Sequence, residues 1–195
     1  AGLRLWVIGC ASGEEAYSLA MAFTDSGDRG HPAPKLQLFG TDLNEVLKGV
    51  LQDLDLVIVQ KNATVKSDTL PTIEAIPLQM TQLFYNLLNN SLKFSHEERN
   101  PLIRISCRKM TEEEKSSSLL KNRTYYEFVF SDNGIGFNEE YSEQIFGLFK
   151  RLNDKNFYPG SGIGLSLCKK VVQNHHGEII AHGKENDGAS FIIHL

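Results

Sequence analysis

Three short segments in a fixed order constrain this chain more than any other feature of its sequence. They are residues 86–94 (NLLNNSLKF), residues 132–137 (DNGIGF) and residues 160–165 (GSGIGL). The first lies in a stretch with helical periodicity, the second follows an alternating strand pattern, and the third has glycines in front of a predicted helix. We therefore expect a fold in which a polar helix face, a strand end and a glycine-rich loop lie together.

The first segment carries two carboxamides and an ammonium group at helical spacing. Asn86, Asn90 and Lys93 fall within one narrow sector of a helix over residues 78–94, and we expect that sector to lie opposite the core. Amide oxygens are hard donors that suit Mg²⁺, and a lysine can meet a phosphate as a point charge. Taken alone, the segment could equally be the polar face of a surface helix.

The second segment follows a strand predicted over residues 126–130. A hairpin turn is the alternative, because Asn-Gly is the strongest two-residue hairpin signal. Residues 138–149 look helical and do not alternate, which argues against a returning strand. Asp132 can accept a hydrogen bond from an exocyclic amine such as that of adenine. Gly134 and Gly136 would let a flat ring approach the backbone.

The third segment differs from a dinucleotide-binding fingerprint, since its spacing is G-x-G-x-G and a polar loop precedes it. Backbone amides at the start of the following helix are typical of an anion site. The candidates here are Gly160, Gly162, Gly164 and Leu165. A lone glycine-rich loop is a weak signal, but together with the other two segments it indicates a pocket for a nucleotide, its magnesium ion and its phosphates.

Residues from about 46 to 195 resemble the catalytic, ATP-binding domain of sensor histidine kinases, in the superfamily shared with gyrase and the large heat-shock chaperones. The three segments are similar to that family's N box, first glycine box and second glycine box. Residues 145–151 (IFGLFKR) resemble the F box, and residues 188–191 (GASF) resemble the closing glycine motif. One departure is Ser91, where the family usually has alanine; because the side chain is small, we expect little effect.

The resemblance implies a role for individual residues. Asn90 matches the principal magnesium ligand, with Asn86 as the second metal ligand, and Asn90 and Lys93 become the catalytic candidates. Asp132 would read the adenine amine. The full set of cofactor-binding candidates is Asn86, Asn90, Lys93, Phe94, Asp132, Gly134, Gly136, Arg151, Gly160, Gly162, Gly164 and Leu165.

The expected cofactors are ATP and Mg²⁺, and the family implies a mobile lid between Phe137 and Gly162. The expected fold class is α/β, an α+β two-layer sandwich with a mixed sheet covered by helices on one face. Alternation predicts a strand over residues 103–108, a polar loop follows over residues 110–124, and two strands close the chain. We expect Gly177 to cap the helix that follows the second glycine box.

The first 45 residues follow a different pattern, a Rossmann-like β-α-β fragment whose second strand, residues 36–40, ends at Thr41 and Asp42. Residues 9–21 (GCASGEEAYSLAM) and residues 40–44 (GTDLN) resemble segments of chemotaxis-receptor (CheR-like) methyltransferases. That resemblance implies S-adenosylmethionine contacts at Gly9, at Glu14 or Glu15, and at Asp42.

The methyltransferase resemblance stops after about residue 44, so more than half of that family's sheet is missing. Since a single β-α-β unit cannot bury both faces of its sheet, we do not expect it to bind S-adenosylmethionine. The predicted domains are residues 1–45, the methyltransferase-like fragment; residues 46–56, a linker helix resembling the end of a kinase dimerisation helix; and residues 57–195, the ATP-binding domain.

The expected function is that of a two-component histidine kinase catalytic domain, an enzyme that transfers the γ-phosphoryl group of ATP to a histidine. A dimerisation domain outside this sequence would supply that histidine, and a response regulator would receive the phosphoryl group. Residues 95–102 (SHEERNPL) are similar to the acceptor motif, but we interpret His96 as a loop residue because a strand follows. The alternatives are an ATP-binding regulatory module without kinase activity and a methyltransferase fragment.

Composition narrows the class further. The net charge of −4 argues against a broad nucleic-acid-binding face. No apolar run approaches the roughly 20 residues of a membrane span, and no secretory leader is visible, so we expect a cytoplasmic protein. The three cysteines are widely spaced, which argues against a disulfide framework or a zinc site.

Overall fold

The structure, a computed structural model, describes residues 39–121, 123–150, 152 and 161–195. The described residues belong to one compact unit, Phe39–Leu195, and residues 1–38 lie outside the described residues. The predicted site residues Gly9, Glu14, Glu15, Arg151 and Gly160 therefore also lie outside the described residues.

A mixed five-stranded sheet forms one layer of the unit, as predicted. Its strands are β2 (Thr64–Ser67), β4 (Leu102–Lys109), β5 (Tyr126–Asp132), β6 (Glu178–Lys184) and β7 (Gly188–His194). Their order is β2-β4-β5-β7-β6, with β2 parallel to β4 and the other neighbours antiparallel. Alternating buried side chains, such as Ile103 and Ile105 in β4, give the strands one core-facing side.

Four helices are described, α1 (Leu43–Asp53), α2 (Asp55–Gln60), α3 (Pro77–Lys93) and α4 (Gly164–Asn174). Helix α3 starts at a proline, whose missing N–H costs nothing at that position. It contacts both α1 and α4, and it packs on β5, where the Phe84 and Phe130 rings meet edge to face at 5.1 Å. The helices form the second layer of the predicted sandwich, and the core lies between α3 and the sheet.

A two-stranded ribbon joins the start of the unit to its middle. Strand β1 (Phe39–Asp42) pairs antiparallel with β3 (Thr72–Ala75), and the Thr41 hydroxyl donates to the Ala75 carbonyl at 2.9 Å. The Asp42 carboxylate accepts the Asn44 N–H at 2.8 Å and caps α1. The strand predicted for a β-α-β fragment is thus part of the larger unit, and α1 begins before the predicted linker helix.

Two local predictions were wrong. Residues 138–149 contain short 3₁₀ turns at Glu139–Tyr141 and Gln144–Phe146, not an α-helix. The left-handed residue that ends α4 is His176, with φ +60°, and not Gly177. Gly177 is required for another reason, because a Cβ there would lie 2.1 Å from the His194 carbonyl oxygen of β7. Among the described residues, no helix has the length and apolar character needed to cross a membrane.

Candidate functional site

The first segment meets the third where α3 contacts α4. Asn86 is buried, with 8% of its surface exposed, so the expectation that it lies opposite the core was wrong. A Cβ on Gly164, the first residue of α4, would lie only 3.4 Å from Asn86 Oδ1. Asn86 Nδ2 is buried and has no hydrogen-bond partner within the described part of the chain. Because Nδ2 is a donor, this capacity fits an acceptor on a ligand, such as a phosphate oxygen.

The first segment also meets the second, at the end of β5. The pleat of β5 puts Phe128, Phe130 and Asp132 on the face covered by α3. The Asp132 carboxylate consequently reaches the last turns of α3, where the Ser91 hydroxyl donates to Asp132 Oδ2 at 2.8 Å. Sequence reasoning gave Ser91 no role, because nothing in the local pattern shows that this strand end lies against it.

Backbone amides hold the other oxygen of Asp132. Oδ1 accepts the Gly134 N–H at 2.9 Å and the Ala189 N–H at 3.3 Å. Burial raises the pKa of the Asp132 carboxyl above its ordinary value, and hydrogen bonds from Gly134, Ser91 and Ala189 act in the opposite direction. Three hydrogen-bond donors, Gly134, Ser91 and Ala189, therefore fix the orientation of the Asp132 carboxylate.

The turn after Asp132 lies directly against protein backbone. The Ile135 N–H donates to the Phe94 carbonyl at 2.9 Å, and a Cβ on Gly134 would lie 2.4 Å from that same oxygen. Gly136 has φ +63°, and a Cβ there would lie 2.0 Å from the Lys184 carbonyl oxygen. In the structure the missing Cβ atoms make room for the chain itself, and the approach of a flat ring to these glycines stays a prediction.

Arg99, which sequence reasoning missed, ties this turn to the neighbouring β6–β7 turn. Its guanidinium donates to the Gly134 carbonyl at 3.2 Å and also to the Asn186 carbonyl in the β6–β7 turn. The Asn186 N–H in turn donates to the Ile135 carbonyl at 2.7 Å. Both bonds come from Nη2, which carries two hydrogens and can donate one to each carbonyl. No motif marks this arginine in the sequence.

The remaining predicted residues that the structure describes lie at the end of α3 and at the start of α4. Asn90 and Lys93 are half-buried near the end of α3, and Lys93 Nζ lies 4.7 Å from the centre of the Phe94 ring. Gly162 has φ +74° just before α4, and Leu165 is half-buried in its first turn.

His96 lies in the loop after α3, as expected. Its Nδ1 accepts the Glu98 N–H at 3.2 Å.

Comparison with known proteins gives the class that this fold and site define. The model of the histidine kinase-, DNA gyrase B- and HSP90-like ATPase family matches residues 75–195. The chain belongs to this family.

Individual relatives agree. Cyanobacterial phytochrome A of Nostoc sp. (strain PCC 7120) is 34% identical over 77% of this chain and 18% of its own length. The adaptive-response sensory kinase SasA of Synechococcus sp. (strain JA-3-3Ab) is 28% identical over 80% of this chain and 39% of its own length. The chain thus spans a minor part of these relatives.

Solved structures support the same fold. The catalytic domain of histidine kinase ThkA has a TM-score of 0.62 at 24% identity, covering 82% of this chain and 97% of that domain. Full-length ShkA, solved in complex with AMPPNP, has a TM-score of 0.67 at 21% identity, covering 94% of this chain and 36% of ShkA. The ThkA domain covers 82% of this chain, which is more than residues 75–195 alone. Residues before 75 therefore contribute to the same fold.

A second family model, the CheR methyltransferase SAM-binding domain, matches residues 1–100. This match supports the methyltransferase-like N-terminal stretch and runs well beyond residue 44, where the sequence motifs end. It overlaps the first match over residues 75–100. The structure places α3 in that overlap, against the sheet and α4, so we assign residues 75–100 to the ATPase fold.

Proposed function

We propose that this chain binds Mg²⁺-ATP along α3 and transfers its γ-phosphoryl group to a histidine, as the catalytic domain of a two-component sensor kinase. One observation supports this above the others: a single helix contacts both glycine segments, through Asn86 at Gly164 and through Ser91 at Asp132. Residues far apart in the sequence thereby converge as an ATP site requires. The AMPPNP bound to ShkA shows the corresponding ligand class in a protein of similar fold.

Each end of the site suits one part of the nucleotide. Asp132 would accept a hydrogen bond from the exocyclic amino group of adenine, and the base would lie next to Phe94. The backbone amides near Gly162 and Gly164, at the start of α4, would meet the phosphates, because a helix N-terminus favours anions. Asp132 would thus recognise the base, and the start of α4 would recognise the phosphates.

Charge on the phosphates would be offset by Lys93 and Arg151. Asn86 and Asn90 would hold Mg²⁺ through their amide oxygens, which are hard donors of the kind that this ion prefers. When bound, the metal supplies charge neutralisation at the phosphate oxygens. The protein's own part is to hold the side chains of Asn86, Asn90, Lys93 and Arg151 in position before the nucleotide binds.

Transfer would break the bond between the γ-phosphorus and the β–γ bridging oxygen, and would form a bond to an imidazole nitrogen. Such transfer depends mainly on positioning and charge stabilisation. We propose that a separate dimerisation domain supplies the imidazole, since His96 lies in a loop and caps its own turn through Glu98. A response regulator would then take the phosphoryl group, and the reaction would occur in the cytoplasm, where ATP is abundant.

The test is phosphotransfer to a supplied acceptor. The protein would be incubated with γ-labelled ATP and dimerisation domains from sensor kinases of the same organism. We expect an acid-labile, base-stable label on one acceptor domain, unchanged in His96→Ala and lost in Asn90→Ala. ATP binding without transfer to any acceptor domain would instead support the regulatory module. An acid-labile label on this chain itself that disappears in His96→Ala would make His96 the acceptor.

The CheR match favours S-adenosylmethionine binding as a second candidate. One structural observation stands against it: the Asp42 carboxylate, the proposed ribose ligand, is already the cap of α1. Calorimetric titration with S-adenosylmethionine separates the two candidates. We expect no saturable heat, and saturable binding that Asp42→Asn abolishes would support the methyltransferase reading.

A further inference from the structure

The contact between Ser91 and Asp132 extends the proposed nucleotide site. We propose that Ser91 is a positioning residue for base recognition, whose hydroxyl holds the Asp132 carboxylate so that Oδ2 keeps one acceptor position for the exocyclic amino group of adenine. The inference rests on the proposed function. It gives a role to the one position in the N box where this chain departs from the family's alanine.

Counting hydrogen bonds shows what the hydroxyl adds. An ionised carboxylate offers about four acceptor positions, two on each oxygen. Two backbone N–H groups, of Gly134 and Ala189, fill Oδ1. Without Ser91, the protein contacts of the described residues would fix one oxygen only. The Ser91 hydroxyl at 2.8 Å is the third point that fixes the carboxylate plane, and it leaves a single position on Oδ2.

Burial and rigidity make this contact effective. Ser91 is 4% exposed, so water cannot readily replace its hydroxyl. Its neighbours on α3 are core residues, with Leu88 and Leu92 each 1% exposed, so the helix cannot move easily at this turn. The donor is therefore held in place by packing, and the carboxylate adopts its orientation before any base arrives.

The single acceptor position on Oδ2 selects by hydrogen-bonding chemistry. The amino group of adenine is a donor and completes the set of bonds. A purine without that group leaves a buried acceptor unsatisfied, which costs binding free energy. Ser91 should therefore affect the preference for adenine over such a purine, whereas a residue that only supports the fold would affect both nucleotides equally.

The experiment compares two nucleotides on matched variants. Wild type, Ser91→Ala and Ser91→Cys would be titrated with ATP and with a purine nucleoside triphosphate that lacks the exocyclic amino group, both in excess Mg²⁺. Cysteine keeps nearly the same shape but is a weak donor, so it controls for packing. Ser131→Ala is the second control, since Ser131 adjoins Asp132 in β5 but lies on the opposite face of the sheet.

We expect Ser91→Ala and Ser91→Cys to weaken ATP binding by about three- to tenfold, the range of one net hydrogen bond. Binding of the other nucleotide should change by less than about twofold, which is the scatter expected when two effects are independent. Equal losses for both nucleotides, or unchanged ATP binding in both variants, would overturn the inference while leaving the proposed function intact. Absence of ATP binding by the wild type would overturn the proposed function and this inference with it.

Discussion

Asn86 and Gly164 face each other where α3 meets α4, and a Cβ on the glycine would lie at van der Waals distance, 3.4 Å, from the amide oxygen. We predict that Gly164→Val fills the space beside this amide and weakens Mg²⁺-ATP binding. The valine methyl groups would extend beyond that Cβ and displace the amide, and we expect the affinity to fall about tenfold, which equals about 1.4 kcal/mol. Isothermal titration calorimetry measures the affinity of each protein for Mg²⁺-ATP.

The matched control is Gly49→Ala in α1, where an added Cβ would meet nothing within 4 Å. This change should leave ATP binding unaltered and raise the free energy of unfolding by up to about 1 kcal/mol, because alanine favours helix over glycine. Gly164→Val protein that binds ATP as tightly as the wild type would show that the contact is not part of the site.

Gly188 lies beneath the Asp132 peptide, and we predict that Gly188→Ala destabilises the fold. The new Cβ would lie 1.9 Å from the Asp132 carbonyl oxygen, and φ is +114°. The expected loss is about 2 kcal/mol or more in the free energy of unfolding, measured with urea. Gly40→Ala is the control, since its nearest neighbour would be Thr72 Cγ2 at 3.7 Å; it should change stability by less than about 0.5 kcal/mol. Equal stability of the two variants would contradict the prediction.

His175 links the end of α4 to the start of α3, and we predict that it makes the fold acid-sensitive. The side chain is buried; Nε2 accepts the Ile76 N–H at 3.0 Å, and Nδ1 therefore donates to the Val171 carbonyl at 2.8 Å. Burial lowers the pKa of His175, against the effect of the Val171 bond. Its contribution to stability is thus complete above the unfolded pKa of about 6.5 and is lost as pH falls through the lowered folded pKa.

Urea unfolding between about pH 7.5 and pH 5.5 checks this, a window that spans the unfolded pKa of histidine. His175→Gln should be less stable than wild type near neutral pH but should lose less on acidification. His176→Gln is the control, because His176 is exposed, and it should follow the wild-type slope. Identical slopes for all three proteins would show that His175 does not titrate in this way.

Arg99 holds the turn after Asp132, and we predict that Arg99→Lys loosens it. Nη2 of Arg99 donates to both the Gly134 and the Asn186 carbonyls, and a lysine side chain is one atom too short to place its ammonium at that position. Hydrogen exchange at the amides of Ile135 and Asn186 should become faster, and ATP affinity should fall. Arg104→Lys on the exposed side of β4 is the control and should change neither quantity. Unchanged exchange at both amides in Arg99→Lys would contradict the assigned role.

Much of the fold could be predicted because local pattern and burial agree. Ile103 and Ile105 alternate, and β4 forms there; the apolar stripe around Leu83 and Leu87 is the buried side of α3. The order of the polar segments likewise predicted that α3 would lie near both glycine segments, as the structure shows. Periodicity could not show that α4 covers Asn86, because that depends on how two distant helices pack.

The contacts that were missed are all between residues far apart in the chain. The pairing of β1 with β3 joins residues 30 or more positions apart, and no short motif encodes it. The contacts of Ser91 with Asp132 and of Arg99 with Asn186 depend on which strand ends lie beside the helix. Gly177 resembled a helix cap because glycine usually fills that position, whereas here the approach of β7 requires it.

The central claim is that the three segments form one ATP site, and nucleotide titration tests it most directly. Wild type, Asn90→Ala and Asp132→Asn would be titrated calorimetrically with ATP in excess Mg²⁺, and thermal unfolding would confirm that each variant is folded. We expect one ATP per chain for the wild type. Each substitution should reduce affinity at least tenfold, about 1.4 kcal/mol. A wild type without saturable binding, or two folded variants that bind as tightly as it does, would contradict the claim.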